Sequence, residues 1–344
     1  MYRDHSVGVV VPAYNEEGFV GDVIDTLPTF VDRAYVIDDR STDGTWQEIL
    51  DHVEGDARPP SAVADGGESI HRPPEPDVTS SSLPLVVPIR HEENRGVGAA
   101  IKTGYRRALD DGIDLVAVMA GDGQMDPDQL AVLLDPMIDR HVDYAKANRL
   151  RSADHWDGMS RFRLFGNAIL TLLTKISSGY WELLDPQNGY TVISRSAIEA
   201  VDLERTYDDY GFTNDLLARL NRHDLRVAHV DIPAEYGDET SHISYPSYTV
   251  NVSKLLLSNF LWRLKHKYVL GSFHPFVMTY LLGTVVSTVG LLAVFGSVVG
   301  LLVGATGGLP LLLSAVLFAV GGGLVLSAME TEASLNADLE VQVT

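Results

Sequence analysis

Asp122, Gln124 and Asp126 fall at every second position in the stretch MAGDGQMDP, residues 119–127, interleaved with Gly121 and Gly123. A carboxylate and an amide oxygen suit a hard divalent cation, Mg2+ or Mn2+, which takes oxygen donors and keeps several waters. Ala120 stands two positions before Asp122, so the segment offers one strong anionic ligand and not a D-x-D pair. Such a site is expected to bind a cation weakly alone and to complete its shell from the phosphate oxygens of a ligand, with Asp122 and Gln124 as protein donors. Asp126 precedes Pro127, a pairing that opens a helix, and this is its expected role.

Other groups suited to chemistry are spread along the chain. Asn15, Glu16, Asp38 and Asp39 follow apolar runs. Asp185 and Gln187 sit in DPQNGYTVISR, residues 185–195, and Asp215 in YGFTNDLLARL. A carboxylate such as Asp215 can serve as general base toward a hydroxyl. Arg149, Arg161 and Arg163 form a cationic set, with Asn167 one turn after Arg163 on the same helix face. They suit an anion; the competing reading is solvent-facing arginines on an acidic protein.

These residues need a scaffold. VGVVVPAY, RAYVIDD, LPLVVPIR and IDLVAVMA read as strands, and each of the first three is followed by a helical pattern: 17–27, 44–53 and 96–109. Apolar strands alternating with helices predict a parallel sheet covered on both faces. Ligands in such sheets bind at the carboxyl ends of strands, where Asn15, Glu16, Asp38, Asp39 and Asp122 would gather. Glycines in NRGVGAA come to a helix start, either to present N–H groups to phosphate or to allow close packing. Residues 55–83, rich in Pro, Ser, Gly and acids, read as a disordered insertion.

The formal charge is −21, with 31 Asp and 16 Glu against 6 Lys and 20 Arg. Excess Asp with scarce Lys points to a halophilic cytoplasm, and the charge excludes a nucleic-acid partner, which needs a basic face. The absence of cysteine excludes disulfides and thiolate metal sites. No signal-peptide pattern is expected from the opening residues. From Thr240 to Met329 there is no acid, and two apolar runs, about 276–303 and 309–329, are each long enough to span a membrane. Lys254, Arg263, Lys265 and Lys267 precede the first run and predict a cytoplasmic side. The expected organisation is a catalytic domain over 1–245, a basic amphipathic interfacial helix over 246–272, two transmembrane helices over 273–329 and a cytoplasmic tail over 330–344. Gly296, Gly300 and Gly304, with Gly321–Gly323, are expected to pack the spans or pair protomers into a homo-oligomer.

Taken together, VVPAYNEE, VIDDRSTDGT, NRGVGAAIKTGY and MAGDGQMDP resemble the family-two glycosyltransferases over about residues 7–240. With the apolar hairpin, the resemblance is to their dolichyl-phosphate mannose synthase and polyprenyl-phosphate glycosyltransferase branch. It implies the α/β GT-A fold, a Rossmann-like nucleotide-diphospho-sugar transferase domain, here with a C-terminal two-helix transmembrane hairpin. It implies that Pro12, Ala13, Tyr14, Asn15, Glu16, Asp38, Asp39, Gly121 and Asp122 hold a UDP- or GDP-hexose. Asp185 and Gln187 would line the sugar or acceptor entrance, and Arg149, Arg161, Arg163 and Asn167 the phosphate of a polyprenyl or dolichyl acceptor. The implied reaction is a metal-dependent, inverting hexosyl transfer at the cytoplasmic face. One alternative extends a lipid-linked glycan with Asp215 as base; another is a non-catalytic membrane scaffold. Where the common family form reads DADGQHDP, this chain has Ala120 and Met125.

The insertion generates the first prediction. Replacing residues Pro59 to Ser82 by a short Gly-Ser bridge should leave transfer activity nearly intact, read as turnover of the purified enzyme; loss of folding would show that the segment is structural.

Overall fold

Val7, Val9 and Val11 point to one side of a strand while Val10 points to the other, and all four are fully buried. A strand buried on both faces belongs inside a parallel sheet. The computed structural model describes residues 1–54, 84–148, 161–186, 188–232, 245–305 and 308–343. In chain order the first half runs β1 (Val7–Ala13), α1 (Val20–Asp25), β2 (Arg33–Asp38), α2 (Thr45–Glu54), β3 (Leu85–Arg90), α3 (Val97–Asp110), β4 (Leu115–Val118), α4 (Leu130–Asp139) and β5 (Tyr144–Asn148). Then follow α5 (Arg161–Ser178), β6 (Thr191–Ser194), α6 (Arg195–Ala200), α7 (Phe212–Arg222) and β7 (Val227–Asp231). The insertion read at 55–83 lies outside the described residues.

The strands form one sheet in the order β3-β2-β1-β4-β6-β5-β7-β8, where β8 is Glu340–Val343. All run in one direction except β6, which is antiparallel to both β4 and β5. The expected parallel sheet is therefore mixed by one strand. One core cluster joins α1 and α4 to the sheet through Val20, Ile24, Leu130 and Leu133. The opposite cluster joins α3 and α7 through Ala100, Tyr105, Leu216 and Leu217.

Helix α8 (Tyr245–Arg263) packs on α5 and α7 and continues into a wider π turn, Leu264–Val269. It buries Val252, Leu256 and Arg263 and exposes Lys254, Leu257, Leu261 and Lys265. Helix α5 likewise exposes Ile169, Leu172 and Leu173. An apolar strip flanked by lysines is the composition of a helix lying at a membrane surface.

Among the described residues, two helices are long and apolar enough to cross a membrane: α9 (Phe276–Leu302) and α10 (Gly308–Asn336), of which α9, at 27 residues, extends about 40 Å. They pack along each other at glycines that periodicity alone did not single out. A Cβ on Gly283 would meet Val325 N at 2.8 Å, and one on Gly290 would meet the backbone of Phe318. Gly321 faces Ser287, as expected of a packing glycine, but Gly296, Gly304, Gly322 and Gly323 have open space where a side chain would stand. Four-residue spacing marks a helix face; only the crossing point decides which glycine meets a backbone. After α10 the chain returns to the catalytic sheet: β8 pairs in parallel with β7, from Val227↔Glu340 to Val230↔Val343.

A leucine at position 290 must force the helices apart, at a cost of about 1–3 kcal/mol for overpacking. Gly290→Leu should therefore lower the thermal midpoint in detergent, whereas Gly322→Leu should leave it unchanged.

Candidate active site

The carboxyl ends of β1, β2 and β4 meet along one rim, and local hydrogen bonds shape each. After β1 the chain turns at Asn15, whose positive φ of 58° is one that asparagine tolerates. Asn15 Oδ1 accepts from Thr42 N at 2.8 Å, Asn15 N donates to Ser41 Oγ at 2.9 Å, and Glu16 N donates to Thr45 Oγ1 at 2.8 Å. The RSTDGT turn after β2 is thus laced to the PAYNEE turn after β1. Within it, the hydroxyl and N–H of Thr45 both donate to Asp43; these bonds outweigh partial burial and hold its carboxyl below the usual range. Tyr14 and Asn15 are exposed and Glu16 half-buried, which leaves this turn open to a ligand.

Asp38 and Asp39 are both buried and both engaged. Asp38 accepts from Ser41 N at 2.9 Å and pairs with Arg90 Nε at 2.8 Å. Asp39 Oδ1 accepts from His91 Nδ1 at 2.6 Å and from Arg95 N at 2.9 Å; its Oδ2 accepts from Gly96 N at 2.7 Å. The nucleotide role expected for Asp39 must therefore use lone pairs left over from a structural one. His91 Nε2 lies 2.9 Å from Thr103 Oγ1, which extends the chain of bonds into α3. His91 was not singled out in the sequence; its place directly after β3, at a strand end, was the available signal.

The glycines of NRGVGAA resolve to packing. A Cβ on Gly96 would lie 2.6 Å from Asp208 O and one on Gly98 2.6 Å from Tyr207 O, while Ala99 N already donates to Asp208 O at 2.9 Å. Lys102, buried in the same helix, donates to Thr206 O at 2.9 Å and pairs with Asp208 at 2.5 Å. The loop 206–211 is thereby pressed onto the start of α3. It brings Tyr210, raised by partial burial and then by Asp209 and Glu16, beside the turn after β1.

At the end of β4, Gly121 N donates to Pro12 O at 3.1 Å, and a Cβ at 121 would sit 3.1 Å from that of Ala13. Asp122 is half-buried, its Oδ1 accepting from Gln124 N at 3.0 Å, and Gln124 is exposed. Asp126 caps the following turn by accepting from Asp128 N at 2.9 Å, the role expected of it. Met125, where the family pattern has histidine, is partly buried against the main apolar cluster, and its Sδ accepts from Ala120 N at 3.3 Å. Tyr190 donates to Asp126 O at 3.1 Å; burial, then Asp126 and Asp128, push its hydroxyl well up, so it stays a neutral donor. Among the described residues no group of three or more His, Asp or Glu gathers to hold a metal. The donor set at this turn, one carboxylate and one amide, fits a cation that brings diphosphate and water with it.

Asp185 is buried on the connection into β6, where the buried Lys146 Nζ donates to Asn188 O. Asp215 is buried at the start of α7; its Oδ2 accepts from Tyr207 N at 3.0 Å and pairs with Arg219 Nε at 2.9 Å. It borders a cavity of 430 Å3 shared by Tyr207, Asp209, Arg219, Ser258 and Asn259, between the loop 206–211 and α8. Arg149 and Gln187, and the side chains of Arg161, Arg163 and Asn167, lie outside the described residues.

A largely parallel sheet with carboxylates along one rim, and an Asp-x-Gln turn after its fourth strand, is the arrangement of the GT-A fold. The chain belongs to glycosyl transferase family 2, whose profile matches residues 8–62 and 77–202, and it is a glycosyltransferase. It is 26% identical, over 68% of its length and 88% of the relative's, to the UDP-N-acetylglucosamine–dolichyl-phosphate N-acetylglucosaminyltransferase of Methanococcus voltae. It is also 26% identical, over 65% of its length and 81% of the relative's, to the undecaprenyl-phosphate mannosyltransferase of Micrococcus luteus. Among solved structures, mannosyl-3-phosphoglycerate synthase from Rubrobacter xylanophilus matches with a TM-score of 0.52 at 20% identity, covering 78% of this chain and 77% of that one. Glucosyl-3-phosphoglycerate synthase from Mycobacterium tuberculosis, in complex with Mn2+, UDP and glucosyl-3-phosphoglycerate, matches at 0.50 and 18% identity, covering 76% and 80%. At these identities the two structures share the fold.

Because the loop 206–211 lies against Gly98, Gly98→Ala should displace it. The expected loss is about 1–3 kcal/mol of stability, measured by denaturant unfolding, while Gly166→Ala on α5, where a Cβ meets no atom within 4 Å, should cost less.

Proposed function

We propose that the protein transfers a hexose from a nucleoside diphosphate sugar to a polyprenyl or dolichyl phosphate, with inversion, at the cytoplasmic face of a membrane. The observation that carries this reading is the state of Asp215. Its carboxylate is buried, accepts from the Tyr207 N–H and pairs with Arg219, so it is engaged in tying the loop 206–211 to α7. A hydroxyl acceptor needs a general base in that position; a lipid phosphate, already ionised near neutral pH, does not. The names of the Methanococcus voltae and Micrococcus luteus relatives, both acting on polyprenyl-type phosphates, support the same acceptor class.

An acceptor phosphate oxygen forms a bond to the anomeric carbon from the face opposite the leaving group. The bond from that carbon to the diphosphate oxygen breaks, its electron pair leaves on the nucleoside diphosphate, and no proton need move. The rim turns after β1 and β2 bind the nucleotide. Asp122 and Gln124 would hold a Mg2+ or Mn2+ ion, which supplies charge neutralisation for the departing diphosphate. Arg149, Arg161, Arg163 and Asn167 would orient the acceptor phosphate. Membrane placement is supported by α9 and α10, by the exposed Leu257 and Leu261 flanked by Lys254 and Lys265, and by positive charge on the side of the catalytic domain.

Detergent-solubilised enzyme should transfer label from a nucleotide sugar into organic-extractable lipid carrying one hexose per phosphate. A longer glycan would favour the hydroxyl acceptor, and no transfer would sink both. Asp122→Ala should reduce turnover by roughly 10²- to 10³-fold, the scale of a lost electrostatic contact to a leaving group, and Gln124→Ala by less, since water replaces an amide oxygen. Ala120→Asp should be tolerated. EDTA should stop the wild-type reaction and Mn2+ or Mg2+ restore it; full activity of Asp122→Ala in EDTA would overturn the metal's role.

A further inference from the structure

Arg263, at the end of α8, is the largest fully buried side chain among the described residues. Its guanidinium enters the C-terminal end of α5. Nε donates to Ser177 O at 2.8 Å and Nη2 to Ile176 O at 3.0 Å. Nη1 donates to Asn221 Oδ1 of α7 at 3.3 Å and to Glu332 Oε1 of α10. Glu332 has no exposure either, and its second oxygen accepts from Tyr280 OH of α9 at 3.1 Å. One turn further along α10, Asn336 Nδ2 donates to Gly179 O at 3.0 Å. The Oδ1 of Asn336 accepts from Lys267 Nζ and Tyr268 OH, both at 3.0 Å. Burial is the main cause that lowers the Lys267 ammonium below its ordinary value, against the pull of Asp224. Gly179 has φ +77°, and a Cβ there would lie 2.6 Å from Arg263 Nη1, so the junction demands glycine twice over.

Carbonyls 176 and 177 are among those that α5 leaves without an intrahelical partner at its C-terminal end, where partial negative charge also attracts a cation, and the Gly179 carbonyl follows directly after it. They are capped by α8 and by α10, elements of the membrane-facing half. Two charges buried together gain little net stability, because desolvation offsets their attraction; their better-supported use is to fix one geometry. The helix so fixed is 18 residues, about 27 Å long. It ends at the base of the sheet, where Tyr180 OH donates to Leu225 O at 2.7 Å, next to the start of β7. A shift at its base is carried to its first turns, which hold Arg161, Arg163 and Asn167.

We propose that Arg263 and Glu332 are positioning residues for the acceptor: through this pair the membrane hairpin sets the placement of α5, and hence the affinity for the lipid phosphate at its other end. The hairpin is then part of the acceptor site's frame as well as an anchor. The proposal rests on the reading that the first turns of α5 meet the acceptor phosphate.

The test uses the full chain in detergent micelles, comparing wild type with Glu332→Leu and the near-isosteric Glu332→Gln. Glu332→Leu should raise KM for polyprenyl phosphate about tenfold, close to 1.4 kcal/mol of binding, with KM for the nucleotide sugar unchanged. Glu332→Gln, which keeps an acceptor for Arg263, should recover part of the loss. Amide hydrogen exchange over residues 169–178 should speed up in the leucine variant while β1 and β4 stay protected. Unchanged exchange in α5, or equal shifts in both KM values, would overturn the proposal. If wild type transfers nothing to polyprenyl phosphate, the functional reading fails, and the exchange experiment still decides whether Glu332 holds α5. Should Glu332→Leu fail to fold, Tyr280→Phe, which removes one hydrogen bond from Glu332, carries the same measurements with a smaller shift in the same direction.

Discussion

The rim depends on one carboxylate accepting three bonds. Asp39 directly follows β2, and its two oxygens take donors from His91, after β3, and from Arg95 and Gly96, at the entry to α3. A buried carboxylate is tolerable only when such donors satisfy it. Once they do, the ends of β2 and β3 and the start of α3 are fixed relative to one another. The loop 206–211 can then settle on Gly96 and Gly98 and present Tyr210 beside the first turn. This end of the rim is therefore built from an imidazole and two backbone N–H groups aimed inward at a protein side chain, while the turn after β1 is exposed.

The other end of the molecule follows a different rule. At the base of the sheet, Arg263, Glu332, Lys267 and Asn336 form a polar cluster among apolar helices. Each member caps a chain end or satisfies another member, as buried polar groups require. Specificity of arrangement comes from hydrogen bonds at the base and from close backbone contact at Gly283, Gly290 and Gly321 within the hairpin. The two layers are complementary, since apolar helices slide easily where nothing polar registers them.

Much of the catalytic half was legible in the sequence. The strands β1 to β4 are apolar runs bounded by polar turns, and the carboxylates that follow them do collect on one rim. The reversal of β6 was not legible, because a four-residue strand carries no mark of its direction. Nor was β8: Glu340–Val343 alternates polar and apolar residues over too short a span to stand out, and its partner strand lies more than a hundred residues earlier. The pairing of Arg263 with Glu332 was hidden for a related reason. A basic residue near an apolar run reads as an orientation signal, and an acid just after one reads as a tail; only the folded arrangement turns them inward together. The acceptor arginines remain an inference from spacing and resemblance, whereas Asp126 as a helix cap follows from local chemistry alone, and the structure has it so.

The position of β8 in chain order bears on how the molecule is made. Strand β7 is complete long before the two spans, yet its outer edge is covered only by a strand that lies beyond them. Until both apolar helices have been made and the chain has come back, a nascent catalytic domain carries an open edge, the kind of surface that recruits stray strands. Glu340, which receives His229 Nε2 at 2.9 Å and the N–H groups of Trp181 and Glu182, then closes it like a clasp. Completion of the helical hairpin is thus a folding step for the catalytic half, and a chain cut short after β7 would be left with an unfinished sheet.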